Sequence, residues 1–560
     1  LQSFGVKLEV SDNRIVDRLR TCHSKTLHVL ILGIFLVAGF GNTLVNGFVW
    51  DDSLYLLPVE AYRRFDWRSF LFGLGNGVEY QPVRDLINAI DFALWGENPA
   101  GFHSTNLILY FLNVVAVYLL AEAIVALFHR QGGQEGRARS SVIAFWTAAL
   151  FALHPIHCES LDFLAGGRNT LLAGLFSFLS ARSFVLHIGD ASGFRGGKLA
   201  ASFCWYILAV LSKATAVSLP LFFLALCIIA KQRPLLQRVL TVLPFMAFSA
   251  AVYRIFTAIA VATGVVNPAG AQIPFAERIA ISAQIPFIYL GKLMLPFALS
   301  ADYDYDLAYT VSLTALPVLA SMAVLLLLSG GIFFFRNRMP PLFIAFCWFV
   351  AMLVPVLQFF PKQMIVSDRY AYIPSFAFCF LVALLGCALA HRFPKVPAAA
   401  GALVLCLFGI LSIQQNKVWK SDYALWEHTV SVSPHSIKGL TFMGTYLFSR
   451  GNYDGAFALF DRARQTDPRN PSYDFFQGLR SYAQGNFPEA RRAFRYALVR
   501  QGDYIDALYY MGATCEALRD YPSAANYYRL TLATSDVDRQ DYKQKAARRL
   551  ALLGDSQVAP

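Results

Sequence analysis

The feature that most limits what this chain can become is a succession of long apolar segments separated by short basic turns. Apolar runs fall near 27–47, 103–128, 140–153, 168–188, 199–212, 214–230, 235–261, 311–335, 341–360, 371–390 and 398–414. A run of about 20 apolar residues is what a helix needs to cross a bilayer, and inside lipid only a helix or a closed barrel satisfies its own backbone. Three runs, 140–153, 199–212 and 214–230, are short for a lone span, so their limits are soft. The composition agrees: 56% of the 560 residues are hydrophobic and only 15% charged, against about 25% charged in a soluble domain. The sequence predicts an all-α polytopic membrane bundle of roughly eleven spans.

Charge sets the orientation. Arg14, Arg18, Arg20 and Lys25 precede the first run, and Arg130, Arg137 and Arg139 follow the second. Further basic clusters fall at alternate turns: Arg195 with Lys198, Lys231 with Arg233 and Arg238, Arg336 with Arg338, and Arg392 with Lys395. The positive-inside rule then puts all of them in the cytoplasm, so the net charge of +12 needs no nucleic acid. Residues 1–26 become a cytoplasmic segment and the C-terminus lies on the opposite side. Counting 273–299 as a twelfth span would place Arg336 and Arg338 outside, so it is expected to lie in or dip into the outer leaflet. The first run is expected to be a retained helix, not a cleaved leader. The nine cysteines form no CxxC pair, which points to small buried hydrophobes and not to a disulfide or metal framework.

Residues 27–415 form the membrane domain, and 48–102 its first outer loop. That loop begins at "VWDDS", where Asp51 and Asp52 leave an apolar helix side by side. Two solvated carboxylates at a helix end would be the plain reading. Yet the aromatic neighbourhood raises carboxylate pKa values, and an acid at a membrane edge suits a base or cation ligand. The stretches after the pair are amphipathic and suit helices lying along the membrane interface. A second polar group, "FALHPIHCES", places His154, His157 and Glu159 at the outer end of the third run. Zinc ligation is the sharper alternative there, but Pro155 breaks the helical spacing that such a site uses; hydrogen bonding to substrate or to the Asp loop fits better, and no metal site is assigned. Isolated cations on the outer side, Arg84, Arg168, Lys213, Lys292 and Arg369, are either paired or snorkelling, or they clamp a lipid phosphate. Arg369 and Tyr370 lie where a span re-enters the membrane.

From 416 to 560 the pattern changes. "RGNYDGAFALFDRA", "QGNFPEARRAFRYA" and "LRDYPSAANYYRLT" repeat with Gly451, Gly485 and Arg519 34 residues apart, as are Ala456, Ala490 and Ala524. That period and the small residue inside each second helix resemble tetratricopeptide repeats. The tail is therefore expected to be an extracytoplasmic α-solenoid, with Tyr446, Phe476 and Tyr510 on a concave acceptor-binding face.

The motifs "FVWDD", "YQPVRDL", "WGENPAGFHSTNLILYFLN", "FALHPIHCES", "LSKATAVSLPL", "VLQFFPKQMIVSDRYAYIPS" and "VWKSDYALWEHTVSVSPHS" follow one another in this order. Together they resemble the transmembrane-and-tetratricopeptide-repeat O-mannosyltransferases and their bacterial relatives, within the GT-C glycosyltransferases. The resemblance covers nearly the whole chain after residue 27. Gln81 stands where an arginine precedes the proline in many members, which leaves Arg84 as a substitute.

The resemblance implies an inverting transferase that moves mannose or another hexose from a polyprenyl-phosphate donor to protein Ser or Thr hydroxyls. Asp51 would be the base, with Asp52 its positioning or cation-binding neighbour. Arg84, Arg168, Lys213, Arg369 and Tyr370 would hold the donor phosphate, and His103, His154, His157 and Glu159 would contact substrate. A divalent cation is an open cofactor; the partners are the bilayer, the lipid-linked sugar and a protein acceptor held by the repeats. A bacterial inner membrane fits better than the endoplasmic reticulum. Two other readings remain: transfer to a lipid or cell-wall glycan, and a non-enzymatic scaffold or transporter.

Overall fold

A computed structural model describes residues 9–76, 79–128, 133–190, 196–230, 234–262, 274–303, 312–359, 364–534 and 540–556. Among these every regular element is a helix. Six helices are long and apolar enough to cross a membrane: Ser24–Val45, Pro99–Phe128, Leu164–Ile188, Leu235–Ile259, Leu316–Phe334 and Val396–Val418. The pair Ala138–Leu153 and Pro155–Asp162, bent by 56°, makes a seventh if read as one broken span. Four shorter apolar helices, Gly196–Ser212, Ala214–Ile229, Pro340–Val356 and Ser375–Ala390, account for the remaining apolar runs. Every run in the sequence thus falls on a helix, while length and composition qualify six or seven as spans. The segment read as lying in the outer leaflet is the helix Phe275–Met294, which carries Pro286 and is not among the candidate spans.

Why the bundle coheres follows from which helices bury small and aromatic residues. Pro99–Phe128, Leu164–Ile188 and Gly196–Ser212 pack side by side around Phe151, Phe178, Phe184, Phe223 and Trp348. Trp348 lies stacked on Phe178 at 5.6 Å and edge-on to Phe222 at 4.8 Å. By contrast, Leu316–Phe334 keeps Leu326 and Leu327 more than 70% exposed, the apolar outer surface that a lipid-facing helix presents.

At the end of the bundle where Asp51 lies, the loop 48–102 builds a small core of its own. Leu56, Tyr62, Phe70, Ala89, Phe92, Phe102 and Leu164 fill it, so the short helices of the loop are anchored on the amino end of Leu164–Ile188. Phe65, Trp67, Leu71, Phe72, Leu94 and Trp95 stay exposed.

The tail consists of helical hairpins: Ile437–Ser449 with Tyr453–Thr466, Ser472–Ala483 with Phe487–Arg500, and Ile505–Ala517 with Tyr521–Ala533, followed by Gln540–Ser556. The 34-residue period is written into their geometry at three levels. Asn452, Asn486 and Asp520 cap the second helix of each hairpin, accepting the backbone N–H groups of Gly455, Glu489 and Ser523. Gly451, Gly485 and Arg519 each hold positive φ, at 79°, 75° and 61°, closing the turn between the two helices. Gly444, Gly478 and Gly512 lie flat against the rings of Phe460, Phe494 and Tyr528, where an added Cβ would come within 2.5, 2.5 and 2.7 Å. Ala456, Ala490 and Ala524 are fully buried beside them.

Candidate functional site

The first helix ends at Phe40, runs through the short turn Gly41–Val45 and becomes extended at Asn46. Trp50 then adopts φ 56°, a left-handed conformation that costs a non-glycine residue roughly 1–2 kcal/mol. Asp51 follows it directly and returns to right-handed helical angles, φ −69° and ψ −6°. Two hydrogen bonds to one carbonyl fix the turn beyond it, because Leu54 N and Tyr55 N donate to Asp51 O at 3.0 and 2.8 Å.

The two carboxylates differ sharply. Asp51 is half-buried. Asp52 is completely buried, and both its oxygens are occupied: Val49 N donates to Oδ2 at 3.1 Å and Ala165 N to Oδ1 at 2.7 Å. Burial pushes its pKa up to about 8, against the two N–H bonds and the more distant Arg168, with Asp51 adding to the rise. Through its bond to Ala165 N, Asp52 ties the loop to the amino end of Leu164–Ile188. Asp51 is the member of the pair that reaches solvent.

Within electrostatic reach of Asp51 is Arg369. The backbone turn Asp368–Ala371 presents its guanidinium to Glu159, with which it makes a close ion pair. Glu159, itself buried, also accepts Arg369 N at 2.8 Å and Ser367 Oγ at 2.8 and 2.9 Å. Phe163 and Tyr370 rings lie 5.4 Å from the guanidinium carbon and the Trp50 ring 6.0 Å away. Burial works against the charge on Arg369, but Glu159, Tyr370 and Asp51 outweigh it and raise its pKa. It remains a fixed cation at the site. Alongside, Tyr303 OH donates to Asp368 Oδ1 at 2.6 Å and the Lys292 ammonium lies 3.4 Å from the Tyr303 ring.

Lys213 belongs to a second polar string. Its Nζ donates to Asn169 Oδ1 at 3.1 Å and Thr170 Oγ1 at 2.6 Å. Asn169 Nδ2 donates to Gln81 Oε1 at 2.9 Å, and Gln81 Nε2 to Glu79 Oε2 at 2.8 Å. Arg84 closes the string by donating to Glu79 and Asp85. Gln81 is thus a relay between Lys213 and Arg84.

Arg84 and Arg168 are not surface clamps. Arg84 is 2% exposed and paired to Asp85 at 2.8 Å. Arg168 is fully buried, 2.6 Å from Asp91, with its other donors on Asn106, Asn88 and the Phe102 carbonyl. A charge so deep must be matched locally, and these partners engage all three of its nitrogens. The three histidines are also interior. His154 lies between Ile156 N at 3.2 Å and Leu293 O at 3.0 Å, and His157 between Tyr110 OH at 2.8 Å and Ser375 Oγ at 2.9 Å. His103 lies between Thr43 and the Gly47 carbonyl. The His154 and His157 rings, 5.7 Å apart, thus have separate partners, and no group of three metal-binding side chains occurs among the described residues.

In the tail, Tyr446 and Tyr510 are half-buried. Tyr446 lies 5.3 Å from the Tyr423 ring with Arg450 over its face. Phe476 departs from the expected concave surface: it is 8% exposed and stacked on Phe460 at 4.4 Å, because its helix turns that face toward the preceding hairpin.

Sequence reasoning missed Trp50, Asp162, Ser367, Asp368 and Asp422. Asp162, buried, accepts hydrogen bonds from Thr43 and Asn46, and Asp422 accepts from Trp50 N at 2.7 Å. A lone Asp in an apolar or helical stretch was the available signal for each of these acids.

No family model matches the sequence. Curated proteins do. Human protein O-mannosyl-transferase TMTC3 is 25% identical over 488 residues, 78% of this chain and 51% of the relative. Protein O-mannosyl-transferase Tmtc3 of Drosophila melanogaster is 24% identical over 84% of this chain and 60% of its own length. Protein O-mannosyl-transferase F38B6.6 of Caenorhabditis elegans is 23% identical over 79% and 63%. The chain resembles the protein O-mannosyl-transferases. It spans from about half to under two thirds of the length of these relatives.

Proposed function

We propose that this protein is an integral membrane glycosyltransferase that moves a hexose, mannose by its likeness, from a polyprenyl phosphate to Ser or Thr hydroxyls of a protein. The observation that carries the reading is the half-buried Asp51 within electrostatic reach of a cation, Arg369, that is itself locked to buried Glu159. A transferase of this kind needs a base and an anion-stabilising group at one reacting carbon, and Asp51 and Arg369 have the chemistry for those two roles.

In the proposed reaction the acceptor hydroxyl gives its proton to an Asp51 oxygen as its own oxygen forms a bond to the anomeric carbon. The bond from that carbon to the phosphate oxygen breaks, and the phosphate leaves with the electron pair. Attack opposite the leaving group inverts the anomeric centre. Arg369 stabilises the departing charge from a fixed position, so little reorganisation is needed at the moment of transfer. Tyr370 and Lys213 complete the donor-phosphate face. Arg84 and Arg168 act one layer back, holding the loop and the Lys213 string in place, and the three histidines brace the helices below. A divalent cation, if one is used, would meet Asp51, since both Asp52 oxygens already accept backbone N–H groups. The repeat-like tail, on the side opposite the basic turns, would hold an extended acceptor, with Tyr446 and Tyr510 as contacts.

The test is Asp51→Asn, which keeps size and removes the proton acceptor. With mannosyl polyprenyl phosphate and an unfolded Ser/Thr-rich polypeptide, turnover should fall roughly a hundred to ten-thousand-fold while donor binding persists. Near-normal turnover would sink the assignment. Running the same assay with a chelator, and with a lipid-linked glycan as acceptor, separates a metal requirement and the glycan-transfer reading.

A further inference from the structure

Asp422 opens the helix Asp422–Val432, yet it does not cap it; Ser421 does, accepting Ala424 N at 3.3 Å. The Asp422 carboxylate points elsewhere. Its Oδ1 accepts the backbone N–H of Trp50 at 2.7 Å, across 372 residues of sequence. Trp50 is one of three described non-glycine residues with left-handed φ, and the next residue is Asp51.

The same helix holds the other end of Trp50. Trp426, one helical turn after Asp422, meets the Trp50 ring edge-on at 5.4 Å, while Phe163 stacks on it at 4.8 Å. Upstream, Gly47 N donates to the Lys420 carbonyl at 3.1 Å and Asn46 Nδ2 to the Asn416 carbonyl at 3.1 Å. Residues 46–50 are thereby strapped to 416–426 at four points. Removing the Asp422 acceptor from this strap would let Trp50 relax toward ordinary φ and shift Asp51, the next residue.

We propose that Asp422 is a positioning residue for the transfer reaction: its carboxylate holds Trp50 in the left-handed conformation that aims Asp51 at the reacting centre. The junction helix between the membrane domain and the hairpin array is then part of the active site's framework. This rests on the reading of Asp51 as base.

Three variants of the full chain in detergent test it, by hydrogen–deuterium exchange over 49–54 and by transfer kinetics. Asp422→Ala should expose the Trp50 amide to exchange and lower kcat by about a hundredfold, the scale of a misplacement near 1 Å, with donor KM unchanged. Asp422→Asn keeps an acceptor oxygen and should restore most of both. Asp422→Glu keeps the acid in the first helical turn, so the helix start is unharmed, but displaces the acceptor; it should resemble Asp422→Ala and decides the matter if that variant does not fold. Wild-type exchange and turnover in Asp422→Glu, or Asp422→Asn as impaired as the others, would overturn the proposal. The exchange measurement needs no turnover, so a chain inactive on mannosyl polyprenyl phosphate would refute the function while leaving the Asp422 contact measurable.

Discussion

Replacing Arg168 by leucine is the sharpest test of how the site is supported. The guanidinium is fully buried, and so is Asp91 at 2.6 Å. Burial raises the Asp91 pKa and the nearby Arg168 opposes that rise, so removing the arginine strands a buried carboxylate. Breaking one partner of such a pair costs about 3–5 kcal/mol. The Asn88 and Asn106 side-chain oxygens and the Phe102 carbonyl lose their donor as well, which places the cost toward the upper part of that range. Against a total stability of about 5–15 kcal/mol, that is a third of the fold or more. Arg168→Leu with Asp91→Leu should cost much less than the two single changes added together, because no orphaned charge remains. The assay is reversible unfolding of the four proteins in dodecyl maltoside with rising sodium dodecyl sulfate. A single-variant cost below about 1 kcal/mol, or strict additivity in the double variant, would refute the clamp. Arg168→Lys with full stability but a lost donor affinity would return Arg168 to the phosphate site.

Asp52 has a folded pKa of about 8 against an ordinary 3.8, so between those values the folded chain binds more protons than the unfolded one. Stability should fall as pH rises across that window, and Asp52→Asn should lose this slope; parallel pH profiles for the two proteins would contradict it. Arg519→Gly, matching Gly451 and Gly485 at the same turn, should stabilise the hairpin array by about 0.5–1 kcal/mol, the left-handed strain less the added chain entropy, as read by urea unfolding; destabilisation would be the wrong sign. Glu159→Gln should raise donor KM and lower turnover together by freeing Arg369, and an unchanged KM would detach Glu159 from the phosphate face. Cysteines placed at Ser449 and Lys395 in a cysteine-free background should label from opposite sides of the membrane, and equal labelling would break the assigned orientation.

The rhythm of apolar runs and the 34-residue spacing were legible in the sequence because both are local periodicities, one set by lipid thickness and one by a hairpin's length. Even the Asn452, Asn486 and Asp520 caps sit in register. Pairing at a distance stayed hidden. Glu159 and Arg369 each stood out alone, but nothing in the chain says that residues 210 apart form one ion pair. Arg168 looked like a clamp because an arginine next to "GG" reads the same whether it faces water or Asp91. Phe476 looked like a binding residue because every hairpin helix has two apolar sides, and only packing decides which is the joint. Asp422 gave only a weak signal, since an acid in the first turn of a helix is ordinary and its true partner is a backbone N–H.

The fit of Gly444, Gly478 and Gly512 onto Phe460, Phe494 and Tyr528 has a consequence for how such a tail can change over time. Each hairpin closes with the same small-on-large joint, so a duplicated 34-residue block would bring its own seat and its own cap. No neighbouring interior would have to be redesigned to receive it. Length is then a quantity that duplication or loss can adjust in whole steps, about one hairpin at a time, while residues 416–426 hold the near end against the loop that carries Asp51. Reach varies freely; the anchor does not.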